Sequence, residues 1–213
     1  AVPPGELPAD FCRRPSHRRR LVHVQPSETA EIEQRAGWLF APEAKDSRDL
    51  GTAIHELFRR VSWIGEVDTD EIVRQWSQTT ALREELRVRA VEQFRRAIAL
   101  PEIRRALSKP RGDAWLWQEK HFETVLGNRW VSGTFDRVVE ERNEEGTPLR
   151  ATILDFKSDA VAGGADLAAV AERYRPQMVL YRDALSQILR LKAAKILLRL
   201  VFVHPGKVVD LPS

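Results

Sequence analysis

Residues 114–140 read AWLWQEKHFETVLGNRWVSGTFDRVVE. Both flanks are rich in aromatic and β-branched residues, and Gly127-Asn128 at the centre favours a two-residue hairpin turn. The stretch is therefore predicted to form two antiparallel strands, 114–126 and 129–140. A polar loop, ERNEEGTP, leads into a third strand, LRATILDFK, over residues 149–157. Three consecutive strands with short connections make an antiparallel meander.

Upstream lies GTAIHELFRRVSWI, where Ile54, Leu57, Phe58 and Val61 recur at i, i+3, i+4 and i+7. That period defines an amphipathic helix. Residues 69–78 and 80–99 carry two further helical patterns, the second striped by Leu82, Leu86, Val91, Phe94 and Ile98. Pro101 fits the start of a short helix that closes near Lys109-Pro110-Arg111-Gly112. Residues 28–40 are ambiguous, with a short helix as the best reading, and APEAKDSRDL over 41–50 reads as a polar connection. Downstream, helix resumes after Gly163-Gly164. Pro176 breaks the pattern and opens a second helix running to about Leu191, since a first-turn proline is tolerated. A last strand, AKILLRLVFV, ends at His204-Pro205-Gly206. Helices, three strands, helices, strand: this order predicts an α/β fold with a mixed central sheet flanked by helices.

The chain of 213 residues suits one domain, and 43% hydrophobic residues supply a core. Residues 1–27 read as a Pro/Arg-rich arm or linker, with Pro3, Pro4, Pro8, Pro15 and Pro26 around Arg13, Arg14, Arg18, Arg19 and Arg20. Such a run could grip phosphates, although a solvated tail is the more common explanation. The domain proper is expected over residues 28–213. A net charge of +3 and a pI of about 9.2 lean mildly toward anionic partners. The single cysteine, Cys12, excludes an internal disulfide and any four-cysteine zinc or iron–sulfur site. It also fits a reducing, intracellular setting. The longest apolar stretch, near residues 196–203, is broken by Arg199 and is too short to span a bilayer. No secretory signal pattern precedes it. The absence of an initiating Met fits a piece cut from a longer chain, and no Walker A phosphate loop occurs.

The chemistry concentrates in the strands. Asp136 lies in GTFDRVV and Asp155 in ILDFKSD. A carboxylate ending a buried strand is costly unless it is paired or bound to metal. Lys157 lies two residues after Asp155, so both point to one face. A neighbouring strand can bring Asp136 beside them. Two adjacent carboxylates repel, and a hard divalent cation such as Mg²⁺ or Mn²⁺ removes that conflict. Lys157 could then orient a water or neutralise charge developing on phosphorus. Alone, an acid–lysine pair on a strand is usually a surface ion pair, so its company decides. His55, early on its helix after Gly51-Thr52, could be a further metal ligand. Glu119 in the first strand could hold a cation or join the metal shell. Gly133, three residues before Asp136, would allow close approach of a backbone or ligand. Gln177 and Tyr181, four apart on a helix, could bond a DNA phosphate or a catalytic residue.

The ordered set Gly51-Thr52-x-x-His55, Glu119, Gly133-x-x-Asp136-Arg137, Asp155-Phe156-Lys157 and Gln177-x-x-x-Tyr181 resembles the RecB-type nucleases of the PD-(D/E)XK superfamily, over about residues 50–205. The resemblance implies a restriction-endonuclease-like core. It implies that His55, Asp136 and Asp155 bind the metal, together with the Phe156 carbonyl, and that Lys157 positions the attacking water. Gln177 and Tyr181 would support the site and the DNA backbone, and Glu119 matches a commonly acidic position. Two departures stand out: Val139 replaces an aspartate common after the Asp-Arg pair, and the Asp-Phe-Lys-Ser form departs from the usual Asp-Tyr-Lys-Thr.

The cysteine count removes the iron–sulfur branches of that family. This leaves a likeness to the C-terminal nuclease domain of AddA/RecB-like helicase-nucleases. The implied activity is Mg²⁺-dependent (or Mn²⁺-dependent) hydrolysis of DNA phosphodiesters, exonucleolytic, in cytoplasmic double-strand break repair and recombination. The implied partners are DNA, a helicase region in the same full-length chain and a second subunit as in AddAB complexes, with no ATP site in this segment and no membrane. The rival readings are an inactive nuclease-like DNA-binding module and a metal hydrolase acting on something other than nucleic acid.

Overall fold

The computed structural model describes residues 21–31, 42–158 and 167–212. The expected mixed sheet flanked by helices is what the chain forms. β2 (Asp113–Leu126) and β3 (Arg129–Arg142) make the hairpin, turning at Gly127 with φ 63°. β4 (Pro148–Lys157) runs antiparallel to β3, completing the meander. β5 (Ile196–Phe202) lies parallel to β4, and β6 (Lys207–Leu211) folds back antiparallel to β5. β6 and β1 (Val22–Val24) are additions to the four strands expected from sequence.

β1 lies within residues 1–27, the stretch expected to be an arm or linker. Residues 22–24 pair in parallel with the first residues of β3, and α1 (Pro26–Glu31) follows directly. The described part of the fold includes residues 21–27; residues 1–20, with the arginine run and Cys12, lie outside the described residues. Residues 42–50 of the polar stretch are also helical, because α2 spans Pro42–Arg59. Over residues 45–50 it buries Leu50 alone, and a tertiary ion pair, Asp46 to Arg83 at 2.5 Å, helps hold it.

The sheet separates two apolar layers. On one side, α2 packs with α3 (Thr69–Thr79), α4 (Glu84–Ala99) and α5 (Pro101–Leu107) against Val139, Leu154, Phe156 and Val201. Phe58 of α2 stacks on Phe156, centroids 4.6 Å apart, and meets Phe94 of α4 edge-on at 5.2 Å. On the other side, α6 (Leu167–Arg173) and α7 (Arg175–Leu189) cover Val138, Ile153, Leu198 and Leu200. Pro176 lies in the first turn of α7, as expected. Gly163-Gly164 and residues 159–166 as a whole lie outside the described residues.

Gly133 makes room for packing. A Cβ there would sit 3.1 Å from the Phe122 ring and 3.3 Å from Pro26 Cδ. The Phe122 ring has no room to yield, since it stacks on Phe135 at 4.3 Å and abuts Tyr181. Gly133→Ala should therefore destabilise by about 1–3 kcal/mol through overpacking. A denaturant midpoint equal to wild type would refute this.

Candidate metal centre

β3 is paired along one edge by β2 over its whole length. Its other edge is shared: β1 takes residues 129–131 and β4 takes 137–142. The β3–β4 ladder stops at Arg137↔Leu154. One step further, in the split between the strands, Asp136 stands level with Asp155. The Asp136 Oδ2 accepts the Phe156 N–H at 2.9 Å, replacing a ladder bond that the diverging strand has lost.

Glu119 completes the row. The pairs Gln118↔Arg137 and Lys120↔Phe135 bracket it, so it lies level with Asp136 across β2–β3. Three carboxylates thus cross three strands at one level. Glu119 also has φ 46°, a rare value for a non-glycine residue that breaks the pleat. Above the break, Phe122 and Phe135 face α7; below it, Trp117 and Val138 do. The parity switches, so Gln118 and Glu119 project together toward α2, as do Asp136 and Arg137.

α2 supplies His55, whose Nδ1 lies 3.4 Å from Asp136 Oδ2 and whose ring meets Phe156 edge-on. Ligand atoms of His55, Glu119 and Asp136 all lie within 4.8 Å of one another. From the opposite layer α7 contributes Gln177 and Tyr181. Lys157 Nζ sits 2.8 Å from Asp155 Oδ2 and donates to Gln177 Oε1 at 3.2 Å. The Gln177 amide in turn reaches Asp155 Oδ1 at 3.5 Å and the Tyr181 hydroxyl at 3.4 Å. The Tyr174 ring lies 4.1 Å from Lys157 Nζ, a cation–π contact. The site therefore straddles the sheet, with an imidazole from one layer and a lysine-bearing network on the other.

The electrostatics are those of an acid cluster short of positive charge. Burial, then the Asp155 charge, push the Asp136 carboxyl well above its ordinary range, against the pull of the Phe156 N–H. Burial raises Glu119 too, with His55 and Arg59 opposing. Desolvation, with the Asp155 charge, pushes the Tyr181 hydroxyl up, so it serves as a neutral hydrogen-bonding group. Asp155 Oδ2 is buried without a well-formed hydrogen bond despite its lysine neighbour. Imidazole plus hard carboxylate oxygens is a donor set that fits a divalent cation.

Every site residue expected from sequence converges on this split. One detail differs in emphasis: Glu119 joins the close group with His55 and Asp136, whereas Asp155 turns to Lys157. Sequence reading missed Gln118 and Tyr174. A signal existed for the first, because Gln118-Glu119 lies opposite Asp136-Arg137 in the hairpin register.

Such a centre, carboxylates and a histidine beside a buried lysine at a strand split, belongs to the class of metal-assisted hydrolases. The chain is a member of the PD-(D/E)XK nuclease superfamily, whose sequence profile matches residues 28–211. No curated protein matches the chain. Among solved structures, the one titled "Crystal structure of SSO0001" is similar at 16% identity, over 75% of this chain and 64% of that one, with a TM-score of 0.28. The chain thus spans less than two thirds of that structure's length. Among the described residues, no helix is long and apolar enough to cross a membrane.

Proposed function

We propose that this domain is a Mg²⁺-dependent deoxyribonuclease that cuts DNA phosphodiester bonds exonucleolytically. The observation that carries the reading is the convergence of His55, Glu119 and Asp136 beside the Asp155–Lys157 pair. His55, Glu119 and Asp136 would hold the cation, with Asp155 and the Phe156 carbonyl at hand. A divalent cation there would polarise a phosphate oxygen and ease the deprotonation of water.

The chain's own part is orientation. Lys157 has three donors; Gln177 takes one and Asp155 pairs with the ammonium charge, which leaves donor capacity for a water or a phosphate oxygen. The Tyr174 face keeps the ammonium in place. Tyr181 fixes the Gln177 amide, and through it the carboxylate that steadies Lys157. Such preorganised charge acts where phosphorus gains negative charge in the transition state.

The motif order supports an AddA/RecB-like setting: a cytoplasmic break-repair enzyme with a helicase region in the full-length chain and an AddAB-like partner subunit. The test is an assay on linear and circular DNA, single- and double-stranded, with Mg²⁺ and with Asp155→Ala as control. Linear DNA should be consumed from its ends and the variant should be inert. Equal turnover by both proteins would refute the reading. DNA retention without cleavage in the presence of bound metal would favour an inactive binding module.

A further inference from the structure

The C-terminus of α2 is held by two residues from the sheet. Helix-terminal carbonyls lack intrahelical donors and carry partial negative charge. Gln118 Nε2 donates to Arg59 O at 2.6 Å and Val61 O at 3.0 Å. Arg137 donates through Nη1 to Val61 O at 2.8 Å and through Nη2 to Ser62 O at 2.5 Å. The Arg137 side chain is 1% exposed and its guanidinium lies 5.1 Å from the Trp63 ring. Burial pulls its pKa down only to about 10, so it stays charged at neutral pH. An arginine this deep cannot reach a DNA phosphate.

Gln118 and Arg137 are cross-strand partners, and each immediately adjoins an acid of the metal group, Glu119 or Asp136. The broken pleat at Glu119 turns each helper to the same side as its acid. His55 lies one turn before Arg59, and a helical turn is a stiff spacer of about 5–6 Å. We propose that Gln118 and Arg137 are positioning residues for the metal centre: they lock the end of α2 so that His55 meets Glu119 and Asp136. The pair makes the sheet-to-helix distance, and hence the third ligand, part of one construction with the two acids.

This inference rests on the reading that His55, Glu119 and Asp136 hold a divalent cation. The probe is Mn²⁺ binding by calorimetry on the whole chain, with denaturation midpoints recorded alongside. Gln118→Ala should weaken Mn²⁺ affinity by about 10-fold, the effect of losing a group that orients a ligand. Arg137→Lys, which keeps charge but loses the fork, should weaken it by at least as much. The decisive measurement is a cycle with His55→Ala: in that background Gln118→Ala should cost no further affinity. Glu56→Ala is the control. It removes the bond from Trp76 to Glu56, beside His55 but facing α3, and should lower stability with Mn²⁺ affinity intact. Should Gln118→Ala bind Mn²⁺ as wild type does, or lose affinity equally with and without His55, the positioning role is overturned. Wild type that binds no Mn²⁺ would sink the metal reading itself, and this inference with it. Should Arg137→Lys fail to fold, the Gln118 cycle decides alone.

Discussion

Asp136→Asn is expected to stop divalent-metal binding, slow DNA cleavage on the order of a thousandfold, and raise the melting temperature of the metal-free domain. The loss of rate corresponds to ~4 kcal/mol of transition-state stabilisation, a reasonable share for a metal site. The gain in stability follows from the same carboxylate. Asn can still accept the Phe156 N–H, so the local backbone keeps its bond. What disappears is the cost of either ionising that carboxyl beside Asp155 and Glu119 or keeping it protonated there. Each kcal/mol of relieved repulsion moves the melting temperature by about 2–4 °C in a chain of this size.

The pH dependence has a definite sign. Asp136 is raised in the folded state above its ordinary value of 3.8, so the folded chain holds a proton that the unfolded chain releases. Metal-free stability therefore falls as pH rises from that value toward the raised one. Added Mg²⁺ should offset the fall, and the Asn variant should show a flatter profile. Melting curves across pH, with and without Mg²⁺, check this. A wild-type curve that rises with pH in that window would be incompatible with it.

Lys157→Ala should have the second-largest effect, and on two quantities at once. Single-turnover cleavage at saturating Mg²⁺ should fall about a hundred- to a thousandfold, the usual cost of removing a preorganised charge aimed at a transition state. Stability without metal should fall by about 3–5 kcal/mol, because the change leaves Asp155, 3% exposed, without its cation. Saturating Mg²⁺ should recover much of the stability but not the rate. Cleavage within tenfold of wild type would show that Lys157 only balances Asp155.

The hairpin was legible in sequence because Gly127-Asn128 and alternating strands specify turn and register together. So was the Pro176 helix start, through a single residue with one permitted place. The site was legible as a set because strand parity puts Asp155 and Lys157 on one face and a helical turn aligns Gln177 with Tyr181. What escaped reading depended on distant partners. β1 is three residues long and pairs with strand residues more than a hundred positions away. The first half of α2 is tied through Asp46 to Arg83, a partner far away in sequence. β6 was missed though Lys207–Leu211 has strand composition, because it is short and follows a proline-glycine turn. Gly133 was read for its smallness, correctly, but a single sequence does not say which neighbour needs the space. No local rule predicts positive φ at a glutamate, so the broken pleat and the inward turn of Arg137 were out of reach.

That broken pleat has a consequence for how the protein responds to selection. A non-glycine residue at positive φ costs roughly 1–2 kcal/mol that glycine would largely avoid. A search for heat-resistant variants would therefore favour glycine at position 119, and would favour neutral residues at 136 for the reason given above. Both gains remove a carboxylate from the row. Enrichment for thermal survival alone should drift toward sturdy, inert descendants, while coupled selection for cleavage should hold both positions against the thermal gradient.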